Sequence, residues 1–337
     1  MGVNTWNSQV NMIVNPPNPY LSWERVNISN VGFDFSLWNN RISGSTDLFT
    51  KRGDNLLGIA PIDPTSGQSM FPGNVAAMSG YGLEVALDTK IGSKKFQWQS
   101  ATTISFIKDK VTTYYIKQPA IWYYCDPQYI NPVPGKPLFS MYSLPFRGLD
   151  ALGDPIGIFE NQPTKDYNAI IQSPNITDLI YHGPSTPTFY GSFRNSFRCY
   201  KFELGLNIIW KTGYYIRTSS VNYNAVVQGE AIGHSDIARR WQQPGDELRT
   251  NIPAIRLPIN HARELFYTYS SALIEKGDHI RLQDIRFIYN FNPRQSVYIY
   301  ANNIGILWKA TRKDIDPDNV NSLAPPLQIT IGSKIEL

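Results

Sequence analysis

An antiparallel, membrane-spanning β-barrel is the fold this sequence predicts, and three observations predict it. Aromatic residues make up 13% of the 337 residues and charged residues only 17%, against roughly a quarter in an ordinary soluble domain. Glycine and proline number 24 each, and no long stretch carries the 3.6-residue apolar period of a helix. Several segments alternate with period two instead, putting apolar side chains on one face and polar ones on the other. No apolar run approaches the roughly 18 residues that a spanning helix needs, so a bilayer role falls to strands. The formal charge of +4 is too small to argue for nucleic acid as a partner.

Candidate strands fall near 25–38, 41–52, 79–91, 95–109, 188–198, 201–217, 279–291, 296–308 and 326–337. In the first, the phase slips between Val26/Ile28 and Val31/Phe33/Phe35/Leu37, which reads as a bulge or an approach from a loop. In the third, Tyr81, Leu83, Val85 and Leu87 oppose Glu84 and Asp88. The pattern recurs with Phe202, Leu204, Leu206, Ile208 and Trp210 against Glu203, Gly205 and Asn207. It recurs again at the end, where Leu327, Ile329, Ile331, Ile335 and Leu337 alternate with Gln328, Thr330, Gly332, Lys334 and Glu336. The apolar faces suit lipid. The polar faces, with Glu84, Asp88, Arg194, Glu203 and Asn207, are expected to face a watery lumen.

Tight turns at Asn39-Asn40, Gly92-Ser93-Lys94, Arg198-Cys199-Tyr200 and Asn292-Pro293-Arg294 alternate with long connections at 53–78, 110–187, 218–278 and 309–325. Short periplasmic turns and long extracellular loops are the pattern of an outer-membrane barrel. The first strand would then run inward and the last would end in the periplasm, an odd count where bacterial barrels are even. The sequence therefore reads as the C-terminal portion of a larger barrel.

Motifs in order along the chain carry a resemblance. They begin with Asn18-Pro-Tyr-Leu-Ser-Trp23-Glu24, Asn30-Val-Gly-Phe-Asp34, Lys51-Arg52-Gly53-Asp54 and Asn74-Val-Ala-Ala-Met-Ser-Gly80-Tyr-Gly82-Leu-Glu84. Gly135-Lys-Pro, Gly148-Leu-Asp150-Ala-Leu-Gly153-Asp154-Pro155, Arg239-Arg-Trp241-Gln-Gln-Pro-Gly245-Asp246, Gly277-Asp-His-Ile-Arg281 and Ala301-Asn302-Asn303 follow. Together they resemble the SusC/RagA class of TonB-dependent outer-membrane transporters. Val75 and Ser79 depart from the usual Gly and Asn, and Leu337 stands where such barrels end on an aromatic residue. The resemblance implies the last nine or so strands of a barrel of about 22. Residues 1–21 would be an extracellular loop leading in and 22–337 strands and loops, with signal peptide and plug absent. It also implies import of a large oligosaccharide or peptide across the outer membrane of a Gram-negative, Bacteroidetes-like cell. TonB would supply the energy and a SusD-type surface lipoprotein the lid. The sequence-level alternatives are a self-contained passive porin and a soluble, secreted glycan-binding β-domain.

No catalytic residue, metal ligand or cofactor is read from the sequence, and an enzyme is not expected. The Asp314, Asp316 and Asp318 spacing opens like a calcium loop but lacks its sixth-position Gly and twelfth-position Glu. The four histidines have no zinc spacing, and no Gly-x-Ser-x-Gly elbow occurs. The second long loop is crowded with rings, among them Trp122, Tyr123, Tyr124 and Tyr142. Such faces suit sugars, apolar peptide side chains or a lid; equally, they pack a loop on itself or sit in an interface girdle. Arg239 and Arg240, beside Trp241, would hold an anion bidentately or brace the third long loop.

Overall fold

A computed structural model of the chain describes residues 2–3, 9–10, 18–61, 63, 65, 70–93, 95–229 and 234–336. Most of segment 1–21, read above as a loop leading in, and Leu337 lie outside the described residues. Nine strands form one sheet: β1 (Arg25–Leu37), β2 (Ile42–Pro61), β3 (Met70–Gly92), β4 (Phe96–Tyr114), β5 (Phe189–Cys199), β6 (Phe202–Thr212), β7 (His279–Asn292), β8 (Gln295–Lys309) and β9 (Gln328–Ile335). Each pairs antiparallel with its chain neighbour, in unbroken up-and-down order. All nine expected strands are present. No helix among the described residues is long and apolar enough to cross a membrane, which says nothing of a β-barrel.

Directly opposed residues share a face of a sheet, so the register assigns the faces. One row runs Val31–Leu48–Leu83–Phe106–Phe189, and another runs Ile91–Trp98–Phe197–Leu204–Phe287–Ile299–Ile331. Both lie on the apolar face, where Leu48, Leu204, Phe287, Ile299 and Ile331 are exposed. The rows between them lie on the polar face. Glycines recur opposite aromatic rings, as in Phe35–Gly44, Phe49–Gly82, Gly191–Trp210 and Tyr298–Gly332. At Gly191 the Trp210 ring occupies the space a Cβ would need, so the indole covers bare backbone and a methyl there would evict it.

The first and third hairpins differ from expectation in detail. The register of β1 against β2 is continuous from Arg25↔Asp54 to Leu37↔Ile42, so the phase slip is no bulge. Val26 and Ile28 lie on the face opposite Val31, and both are exposed. The irregularity falls on β2 instead, between Gly53 and Leu56, where Asn55 takes a left-handed φ of 57°. The turn expected at 198–200 tightens to Tyr200-Lys201, because Arg198↔Glu203 and Cys199↔Phe202 are still paired. Tyr200 bears the positive φ of 52° that so short a reversal demands.

Motif residues act as clamps where strands leave the belt. The Asn74 side chain accepts from the Ser22 N–H at 2.8 Å and donates to the Ser22 and Asn55 carbonyls. Glu24 accepts from the Leu57 N–H at 2.7 Å. These bonds cap backbone groups that the bulge would leave unpaired. β2, β3 and β4 consequently continue through 53–61, 70–78 and 110–114, which the sequence suggested were loop.

The two longest connections fold together into a cap with its own core. Ile121, Tyr142, Leu144, Ile170 and Phe266 are at most 4% exposed there. Helices α1 (Tyr167–Gln172), α2 (Tyr223–Val227) and α3 (His261–Thr268) start at side-chain caps. Asp166 accepts from the Ala169 N–H, Asn222 from Ala225 and Asn260 from Arg263. Short strand pairs join Ser140–Ser143 to Ile180–Pro184 and Tyr215–Arg217 to Ile274–Lys276. Strand β6 therefore ends at Thr212, short of the expected 217, broken at Gly213 with its left-handed φ of 78°.

Candidate functional site

The five charged or amide residues expected on the polar side do share one face. Asp88, Ala101, Arg194, Asn207, Asp284, Asn302 and Gln328 stand in one continuous row from β3 to β9. Asn207 donates to Asp284 at 2.9 Å. Glu203 pairs across the strands with Arg198 at 2.8 Å, and Glu84 stands opposite Asp47 and Ser105. A face this polar across seven strands is suited to water.

In the cap, the Trp122 and Tyr123 rings stack at 4.0 Å, and Tyr129 meets Tyr123 edge-on at 5.7 Å. Trp122, Tyr123 and Tyr124 are half-buried. Tyr142 is only 4% exposed and packs against Tyr124 and Tyr181, inside the cap core. Cys125 is buried beside them, which pushes its thiol up to about 12 and keeps it un-ionised and unreactive.

Two of the motif segments quoted above meet here. Gly153 holds a φ of 80°, and a Cβ on it would lie 2.5 Å from the Trp241 ring. The Trp241 indole donates to Glu247 at 3.0 Å, which holds that carboxyl below its usual range. Arg240 donates to the Ile237 carbonyl at 2.7 Å, and Arg239 pairs with Asp236 at 2.5 Å. Behind them sits a residue sequence reasoning missed. Arg263, 3% exposed, donates to Asp154 at 3.0 Å, Glu264 at 2.7 Å and the Ala254 carbonyl at 2.8 Å. It thus ties residues of the second long connection to the third. Its only signal was an Arg-Glu pair in a short apolar helix, which reads as an ordinary solvated face.

Arg239 and Arg240 also border a cavity of about 1190 Å³ whose walls include Arg249, Arg312, Lys313, Asp236, Asp246 and Glu275. Both signs of charge are present, so the cavity suits a polar or zwitterionic solute better than an apolar one.

The acidic segment before β9 turns to cations of the sheet. Arg281 donates to Asp316 at 2.5 Å, Lys211 pairs with Asp318 at 2.7 Å, and the wholly buried His279 lies 3.2 Å from Asp318. Burial alone would raise the Asp318 carboxyl, but hydrogen bonds from His279 and Lys211 outweigh it and hold it well below the carboxylate range. A carboxyl depressed on folding stabilises above its unfolded pKa of about 3.9, and that contribution fades as pH falls toward the folded value. Replacing Asp318 with Asn is expected to cost about 1–3 kcal/mol, since Lys211 and the buried His279 lose a carboxylate hydrogen-bond partner. It should speed protease cleavage within 309–327 at neutral pH and flatten the acid dependence below pH about 4. Identical cleavage profiles in the two proteins would refute a holding role for Asp318.

Comparison with known proteins agrees with this geometry. Residues 3–140 match the family model described as TonB dependent receptor-like, beta-barrel. TonB-dependent receptor P3 of Formosa agariphila is 24% identical over 332 residues, covering 89% of this chain and 31% of that protein. TonB-dependent receptor SusC of Bacteroides thetaiotaomicron is 30% identical over 97 residues, 28% of this chain and 10% of SusC. The structure of the RagAB peptide transporter superposes with a TM-score of 0.73 at 17% identity, covering 99% of this chain and 38% of that one. The chain spans about a third of the length of the Formosa relative. The relatives are receptors and transporters rather than enzymes. Family model, relatives and fold agree in likening this chain to the β-barrel of TonB-dependent receptors of the outer membrane, as a C-terminal part of larger proteins such as SusC and RagA.

Proposed function

We propose that the chain supplies wall, lumen lining and outer cap to an active transporter that imports a large nutrient, with TonB energy and a SusD-type lipoprotein lid. In this reading 22–337 are the strands and loops of the barrel's C-terminal part, and Glu84, Asp88, Arg194, Glu203 and Asn207 face the lumen. The polar row from Asp88 to Gln328, set back to back with an apolar face, carries the proposal. A passive porin or a soluble glycan-binding domain would leave the likeness to TonB-dependent receptors unexplained.

Between peptide and oligosaccharide the cavity beside Arg239 and Arg240 favours peptide, because its mixed charges complement both chain termini. The transporter that this chain superposes on is itself described as a peptide transporter. The Trp122–Tyr123 stack is the second proposed contact, toward substrate or lid, while Tyr142 and Trp241 hold the cap in shape.

The test uses the whole transporter in cells, measuring uptake of a fluorescent peptide pool and of an oligosaccharide pool. Arg239→Gln with Arg240→Gln should lower peptide uptake at least tenfold, the scale of a lost charged anchor, and leave barrel assembly intact. Trp122→Ala with Tyr123→Ala should weaken uptake or lipoprotein co-purification by a similar factor. Undiminished peptide uptake in both variants would overturn the assignment.

A further inference from the structure

We propose that the apolar-side rim above β2–β4 binds a lipid whose headgroup carries phosphate. The topmost apolar row there is Val31–Leu48–Leu83–Phe106. Two residues up each strand, about 6.6 Å along it, the same face carries Ser29–Thr50–Tyr81–Lys108. Two residues higher again it carries Asn27–Arg52–Ser79–Lys110. The face thus changes from lipid-compatible to cationic within one step, with Tyr81 at the boundary, 6.3 Å from the Phe106 ring.

Lys108 and Lys110 have no ion-pair or hydrogen-bond partner among the described residues. The nearby carboxylates are otherwise engaged. Asp109, between them in sequence, points to the other face and accepts from the Leu138 N–H at 2.9 Å. Asp54 is held by Arg52 at 3.0 Å, through Nε alone, which leaves the outer guanidinium nitrogens open. A fourth cation, Lys136, sits over the Tyr181 ring at 4.1 Å. A cavity of about 940 Å³ is lined by Arg52, Tyr81, Phe106, Lys108, Lys110 and Lys136.

Unpaired ammonium groups directly above exposed apolar side chains match an amphiphile with phosphate at one end and acyl chains at the other. The phosphate would accept from Lys108 and Lys110, while the chains lie down the Leu48–Leu83–Phe106 strip. The inference rests on the apolar face meeting lipid but not on any transported substrate.

The test places the whole transporter in nanodiscs containing a diphosphorylated glycolipid and counts retained lipid by native mass spectrometry. Lys108→Gln with Lys110→Gln should lower retention about tenfold or more, as expected from two interfacial cations. Lys90→Gln, on the polar face at the opposite end of β3, should leave it unchanged. Stripping the phosphates from the glycolipid should lower wild-type retention equally, an arm that needs no variant to fold. Excess inorganic phosphate should not compete, because it lacks the chains. Equal retention by the double variant, equal retention of the dephosphorylated lipid, or full displacement by inorganic phosphate would each overturn the proposal. Uptake is not the readout, so a failure of the transport reading stays distinguishable.

Discussion

Arginine at position 206 is expected to destabilise the barrel by ~2–4 kcal/mol, the cost of a cation on the lipid face near the bilayer midplane. Leu206 stands opposite Asn195 and Ile285, midway along the apolar face of β6 between Phe202 and Trp210. The charge has no carboxylate within the neighbouring rows of that face and must snorkel past Leu204 or Ile208. Urea unfolding in micelles, together with heat-modifiable migration, reads the effect. Ser105→Arg is the matched control. Ser105 lies on the polar face opposite Glu84, and the same charge there should change stability little. A larger loss at Ser105 than at Leu206 would mean that the faces are assigned the wrong way round, and equal losses would refute the distinction between them.

A second large effect is expected in the cap. Arg263→Ala removes the cation shared by Asp154 and Glu264 and takes the guanidinium donor from the Ala254 carbonyl, while the Gly153 carbonyl keeps only the Ala254 N–H. Breaking a buried pair from one side costs about 3–5 kcal/mol, because the remaining charge stays buried. Burial already raises the Glu264 carboxyl against the pull of Arg263, so the variant should protonate Glu264 more readily and lose less stability at acid pH than at neutral pH. Lysine at 263 should recover only part, having one point charge where the guanidinium serves several acceptors. The cap should become protease-sensitive while the barrel keeps its heat-modifiable migration. A stable cap in Arg263→Ala would show that its apolar core alone suffices.

What the sequence disclosed and what it hid follow from the range of the forces involved. The belt strands were legible because lipid on one side and polar residues on the other impose a two-residue alternation that each strand carries by itself, as in Phe202–Trp210. The upward extensions of β2, β3 and β4 were not, because above the belt no lipid enforces that alternation and Asn55 and Pro72 look like loop residues. Only the distant Asn74 and Glu24 side chains explain why pairing persists there. The cap was hidden for a similar reason: Ile121, Tyr142 and Phe266 form one core from positions far apart, with no local period to announce it. The rings of the second long connection drew notice, but their burial depends on α3, which lies in another connection. At 198–200 the error was one of phase, since a two-residue turn and a three-residue turn differ only in whether Cys199 still pairs.

The unequal strand lengths have a mechanical consequence. At about 3.3 Å per residue and a tilt near 40°, the 23 residues of β3 climb roughly 57 Å along the membrane normal, more than twice the ~25 Å apolar band. The 11 residues of β5 and of β6 climb only about 28 Å. The rim is therefore a parapet with a low gap. Hydrogen-bonded sheet screens one flank against sideways approach, and the cap springs from the gap beside it. In the transporter proposed above, a bulky solute would be steered to one compass bearing before any side chain had selected it.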